Sequence, residues 1–139
     1  PDDMLFNEDP DKCCHIRKVQ PLDKMMNKMG NLGFRAWITC RKNFQSATRS
    51  GLSTIEADTD FIKINPLADW TGDDIKQAFL AKNLPPHPLV ADGFKSIGCM
   101  PCTSRVAEGA DPRSGRWAGK AKTECGIHLR RPSGLVTSI

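Results

Sequence analysis

A chain of 139 residues, 39% of them hydrophobic, suits a single domain with a modest core. No stretch approaches the roughly 20 apolar residues that cross a bilayer, and no basic-then-apolar leader opens the chain, so a soluble, cytoplasmic protein with no membrane partner is expected. The net charge of +4 is modest, and the six cysteines direct attention to thiol chemistry, because clustered thiols in a reducing compartment serve metal binding or catalysis more often than disulfide scaffolds.

Residues 1 to 11 hold five acids and no bases, and residues 1–12 read as an acidic linker or a cut end. Pro21 at a helix start, then Leu22, Met25, Met26 and Met29 at helical spacing with Gly30 as a stop, predict an amphipathic core helix. The runs 34–40 (FRAWITC) and 61–64 (FIKI) predict two buried strands. Between them, 41–53 is polar and basic, a loop of the kind that binds ligands at the end of an α/β strand. Thr71 and Asp74 have capping-box spacing, and Ile75, Ala78 and Phe79 stripe a second helix up to Asn83. Three prolines make 84–89 a rigid connector. From Thr103 onward there is no sustained periodicity, which predicts a loop-rich, mobile tail. The alternation predicts an α/β fold divided into the opening 1–12, an α/β part over 13–110 and a tail over 111–139, although two strands make a poor sheet and the fold looks incomplete.

Charge is unevenly spread. From His15 to Arg49 eight Lys or Arg face the single acid Asp23, and from Lys95 to Arg131 eight face three acids. Such stretches serve as solvated faces, nucleic-acid contacts or grips for a small anion. No zinc-finger spacing occurs and the six phenylalanines and three tryptophans do not interleave with basic residues, which argues against nucleic acid.

Cys13 and Cys14 are adjacent, and Cys99 with Cys102 forms a CxxC. Together they supply four thiolates, the number a cubane iron–sulfur cluster takes, and four soft ligands also suit zinc. Structural zinc sites more often use CxxC-like spacing in both halves, so the tandem pair tilts the choice toward a cluster. Two core thiols plus a reversible dithiol is the remaining reading. Cys40, inside an apolar run, reads as a buried small hydrophobe. Cys125 stands apart in the tail, where Lys120, Lys122 and His128 favour its thiolate; it is either a nucleophile or an unremarkable surface thiol.

The runs CCHIRKVQPL (13–22), NPLADW (65–70), SIGCMPCT (96–103), GRW (115–117) and KTECGIH (122–128) resemble, in order and approximate spacing, the C-terminal half of the adenylylsulfate (APS) reductases, within the family that also reduces phosphoadenylylsulfate (PAPS). The resemblance covers about residues 10–130. It implies a partial adenine-nucleotide α-hydrolase-like fold of the PP-loop type, with a parallel sheet. It also implies a [4Fe–4S] cluster on Cys13, Cys14, Cys99 and Cys102, and Cys125 as the nucleophile that forms an S-sulfocysteine. Lys18, Arg113 and Arg116 match residues near the cluster and the substrate's charged groups, Arg41, Gln45 and Arg49 fall in the sulfonucleotide-binding loop, and His128 of the tail run is counted with the substrate-binding residues. The implied partners are adenylylsulfate and a thioredoxin- or glutaredoxin-like reductant; homo-oligomer formation is compatible with the pattern.

Three departures stand out. The family's Gly/Ser-rich phosphate loop is absent, so the chain is expected to be a fragment whose N-terminal half lies elsewhere. Cys40 stands where glycine is common, and Leu89-Val90-Ala91 where a histidine often follows Pro-Leu. The rival readings are a PAPS reductase with the same mechanism and a non-catalytic, zinc-stabilised module that binds nucleic acid.

Overall fold

The computed structural model describes residues 4–58 and 60–128. Helical structure runs almost unbroken through α1 (Leu5–Glu8), α2 (Pro10–Cys14), a π-helical turn (His15–Val19) and α3 (Gln20–Asn31). Leu5–Glu8 and Pro10–Cys14 are therefore helical, with the break at Asp9. Asp9 caps α2 by accepting the Lys12 N–H at 2.9 Å, and Pro10 sits at the first position, where its missing N–H costs nothing. Pro21 lies inside this run instead of opening it. The wide turn before it, in which the Gln20 N–H reaches back to His15 C=O, is the kind of adjustment that accommodates a proline within a helix. α3 passes through Gly30 and stops one residue later, at Asn31. There Gly33 adopts φ +90° while Gly33 N–H bonds Gly30 C=O at 3.0 Å and Phe34 N–H bonds Met29 C=O at 3.1 Å, a Schellman cap. Gly30 has a different use: a Cβ on it would come 3.3 Å from the Phe61 ring, so its bareness lets helix and sheet approach.

The described sheet has strands β1 (Ala36–Ile38), β2 (Ile55–Asp58) and β3 (Phe61–Ile64) in the order β1-β3-β2. β1 runs parallel to β3 with Ala36 opposite Ile62, and β2 pairs antiparallel with Ile55 opposite Ile64. The sheet is thus mixed, where a parallel one was expected, because the four residues of β2 are too short a pattern to declare a strand. Its two faces are inverted relative to a simple core. Phe61, Lys63 and Asp58 are buried, as is Thr39, whereas Ile38, Ile55 and Ile62 are 69%, 66% and 49% exposed. The strands are accordingly buried on one side only. Cys40 is exposed, not buried: Thr39 turns inward to Asn65, so the strand's twofold alternation sends its neighbour outward.

On the buried side, Trp37 Nε1 donates to Asp58 at 2.8 Å, and Lys63 Nζ lies 3.5 Å from the same carboxylate. Arg41 pairs with Glu56, and Asn65, fully buried, donates to Ser53 C=O and to Glu56, both at 2.8 Å. α4 (Gly72–Ala81) opens with the expected capping box: Asp74 N–H donates to Thr71 Oγ1 at 3.1 Å and Thr71 N–H to Asp74 Oδ2 at 2.8 Å. No residue of α4 is buried, and Phe79 and Leu80 face solvent. Among the described residues no helix is long and apolar enough to cross a membrane.

Candidate active site

Cys13 and Cys14 end α2, and Cys99 precedes and Cys102 ends a 3₁₀ turn closed by a Cys102 N–H to Cys99 C=O bond of 3.0 Å. The two pairs, about 85 residues apart in sequence, line one cavity of about 120 Å³ together with Lys18 and Trp117. None of the six cysteines is joined to another in a disulfide. Among the described residues no three or more His, Cys, Asp or Glu are grouped as one metal ion requires. The two cysteine pairs thus offer four soft donors to one cavity, the number that a cubane cluster takes and that also suits zinc. Burial opposes the charge on Lys18, but its hydrogen bond with Cys99 and the facing sulfurs of Cys125, Cys99 and Cys14 outweigh that and raise its affinity for its proton.

The tail folds back onto this turn. Thr103 and Arg116 form an antiparallel bridge, Ser104 N–H bonds Gly115 C=O at 2.8 Å, and Trp117 N–H bonds Cys102 C=O at 3.1 Å. Gly115 is required for the close approach, since a Cβ there would overlap Ser104 C=O. Trp117 is only 3% exposed and holds φ +48°, an uncommon conformation for a bulky residue. It also lines a second cavity of about 350 Å³ with Gln45, Ser46, Arg113, Arg116 and Lys122. The Arg116 guanidinium stacks 4.6 Å from the Trp117 ring and the Lys122 ammonium 5.6 Å, so one indole separates a cysteine cavity from a cationic one. Bare Gly98 makes room for Arg116, because a Cβ would run into its guanidinium. Basic tail and acidic opening meet: Lys120 Nζ donates to Asn7 C=O at 2.6 Å, and Lys122 pairs with Asp11.

The structure therefore gathers Gln45, Arg113 and Arg116 at one cavity, and Lys18 with Cys13, Cys14, Cys99 and Cys102 at the other. Cys125 is half-buried and lies near enough to Cys14 and Lys18 for their charges to interact. Arg41 and Arg49 are engaged inside the chain, Arg41 with Glu56 and Arg49 with Glu124. His128 stacks on Trp37 with ring centroids 5.7 Å apart. Its pKa is lowered to about 4, first by burial and then by the charges of Arg41, Lys63 and Arg49. It is neutral near pH 7 and lends no positive charge to Cys125, contrary to the sequence-based expectation. Residues 129–139, within the tail expected to be mobile, lie outside the described residues. Sequence reasoning missed a role for Trp117, whose signal was an aromatic directly after Arg116, and for Glu124, an acid within a basic run.

The fold and site define an α/β protein in which a cavity of free thiols adjoins a cavity of fixed cations. The model of the phosphoadenosine phosphosulfate reductase domain matches residues 2–105, and the chain belongs to that family. It is 51% identical over 139 residues, the whole chain, to adenosine 5'-phosphosulfate reductase of Mesorhizobium japonicum, covering 52% of that protein. It is 45% identical over 126 residues to the protein of the same name from Mycobacterium tuberculosis, covering 89% of this chain and 48% of the other. Among solved structures, phosphoadenylyl-sulfate (PAPS) reductase from Candida auris, in a phosphate complex, matches with a TM-score of 0.59 at 30% identity, over 75% of this chain and 47% of that one. The likeness agrees with the adenine-nucleotide α-hydrolase-like α/β fold. The chain spans about half the length of the curated relatives it matches.

Proposed function

We propose that this chain is the C-terminal, cluster-binding part of a reductase of sulfate assimilation that converts adenylylsulfate to sulfite and AMP. The observation that carries the reading is that Lys18 and four thiols line one cavity, with Cys125 near Lys18 and Cys14, while Arg113 and Arg116 line a second cavity that shares Trp117 with the first. Guanidinium groups grip sulfate and phosphate oxygens through paired N–H donors, and a thiolate approaching a doubly anionic substrate needs that charge cancelled. The Cys125 thiolate attacks the substrate sulfur. The new S–S bond forms as the S–O bond to phosphate breaks, and AMP leaves with the bridging oxygen, so the enzyme holds an S-sulfocysteine. A dithiol of the thioredoxin or glutaredoxin type then attacks the Cys125 sulfur, sulfite departs with its electron pair, and the second reductant thiol closes a disulfide and returns Cys125 as a thiol. Two electrons pass from dithiol to the transferred sulfur.

Cys13, Cys14, Cys99 and Cys102 are the residues that would hold a [4Fe–4S] cluster, which would supply a fixed charged body beside the reacting thiol. Such thiol chemistry belongs in a reducing compartment such as the cytoplasm. The missing length of chain, set against the relatives, would carry the phosphate loop and most of the nucleotide pocket; the exposed isoleucine face of the sheet is a surface for it to cover.

The test is made on the complete enzyme. Iron and acid-labile sulfide in equal amounts, and covalent label on Cys125 after incubation with sulfur-labelled adenylylsulfate, are expected. A Cys125→Ser variant that labels normally would defeat the assignment. PAPS is the second reading, favoured by the family model and the Candida auris likeness; competition between the two nucleotides decides it, with preference for adenylylsulfate expected.

A further inference from the structure

Glu124 is the single acid between Arg113 and His128, and it is not left to solvent. Its Oε1 accepts from Arg49 Nε at 3.0 Å, from Ser46 Oγ at 3.2 Å and from Thr48 Oγ1 at 3.3 Å, while Oε2 accepts from Arg49 Nη2 at 3.1 Å. Arg113 Nη2 lies 3.3 Å from Oε1 and donates to Thr123 C=O, one residue earlier, at 2.6 Å. Arg49 is itself held, donating to Gln45 Oε1 at 2.6 Å. The three side chains of this knot are 20%, 14% and 18% exposed, shielded enough for a forked arginine–carboxylate pair to exceed an ordinary surface ion pair. Two loops far apart in sequence, one over 46–49 and one at Arg113, converge on a carboxylate directly before Cys125.

On the other side of that cysteine, Gly126 takes φ +83°, with the Val19 side chain 3.7 Å from where a Cβ would stand, and His128 stacks on Trp37. The thiol is thus suspended between two anchors. The cationic cavity stays open with the Glu124 knot formed: Arg113 contributes to both, which its five N–H donors permit.

We propose that Glu124 is the positioning residue that seats Cys125, tying the tail to Arg49 and Arg113 so that the thiol faces the same cations that receive the substrate. The proposal rests on the reading of Cys125 as nucleophile. It predicts that Glu124 acts on the step in which Cys125 is sulfonated and not on nucleotide binding.

The experiment compares wild type, Glu124→Gln and Glu124→Asp in the complete enzyme, following single-turnover labelling of Cys125 from saturating sulfur-labelled adenylylsulfate, AMP affinity, and the rate at which iodoacetamide alkylates Cys125. Glu124→Gln slows labelling about 100-fold, the cost of a misplaced reacting group. It leaves AMP affinity unchanged and speeds alkylation of the released thiol, and Glu124→Asp, which keeps the charge, recovers part of the labelling rate. Labelling of Glu124→Gln at the wild-type rate overturns the proposal. So does a loss of labelling matched by a loss of AMP affinity with alkylation unchanged, which would make Glu124 a wall of the anion pocket. Failure of wild type itself to take label sinks the nucleophile reading instead, and the alkylation rates still decide whether Glu124 seats the tail.

Discussion

The two faces of the small sheet solve opposite problems. On the inner face, Trp37, Asp58, Lys63, Glu56, Arg41 and Asn65 saturate one another within the chain. On the outer face, Ile38, Ile55 and Ile62 stand exposed, with nothing in the described residues to cover them. Polar groups leave water only when their partners arrive with them, so the inner face is finished by this chain alone. Apolar surface carries no such pairing demand and waits for whatever chain covers it. The difference separates a face closed by this chain's own residues from one that, under the proposed function, a further segment would cover.

Lys63→Met breaks the finished face most severely. Both Lys63 and Asp58 are nearly buried, and removing one member of such a pair costs about 3–5 kcal/mol because a charge stays behind in a dry place. Urea unfolding of the chain measures it, and an unchanged midpoint would mean that water reaches Asp58.

Ile62→Lys sharpens the comparison on the other face. In the isolated chain, where Ile62 is half exposed, the change stays within about 0.5 kcal/mol, whereas in the complete enzyme it costs at least about 2 kcal/mol by placing an unpaired charge in an interface. Equal effects in both contexts would show that the isoleucine face is a true exterior.

The third test is a pH response. His128 holds a pKa of about 4 in the folded chain against an ordinary value of 6.5, so the unfolded chain binds the extra proton more readily. The stabilisation from its stack on Trp37 is complete above about pH 6.5 and declines as pH falls toward 4. Glu124 adds a loss at lower pH still: burial opposes its charge, but the hydrogen bond and charge of Arg49, with Arg113 and Ser46, outweigh burial and hold its pKa below the usual value. Unfolding midpoints across this range should fall with acidity, and His128→Ala should flatten the upper part of the curve.

What could be read without coordinates was the local and covalently fixed part. The capping box at Thr71, the proline connector over 84–89 and the pairing of thiols at 13, 14, 99 and 102 were legible because each is set by a few neighbouring residues or by a rare residue type. The ends of α3 were less so: Gly30 and Gly33 are both plausible stops, and only the packing of Phe61 assigns the first to close approach and the second to the left-handed cap. Strand β2 escaped notice because its four residues become a strand only by pairing with β3. The same reason governs Cys40 and Glu124. Sequence gives their chemistry, but whether a thiol turns outward or a carboxylate finds two arginines is decided by which distant segments tertiary folding brings within hydrogen-bonding distance.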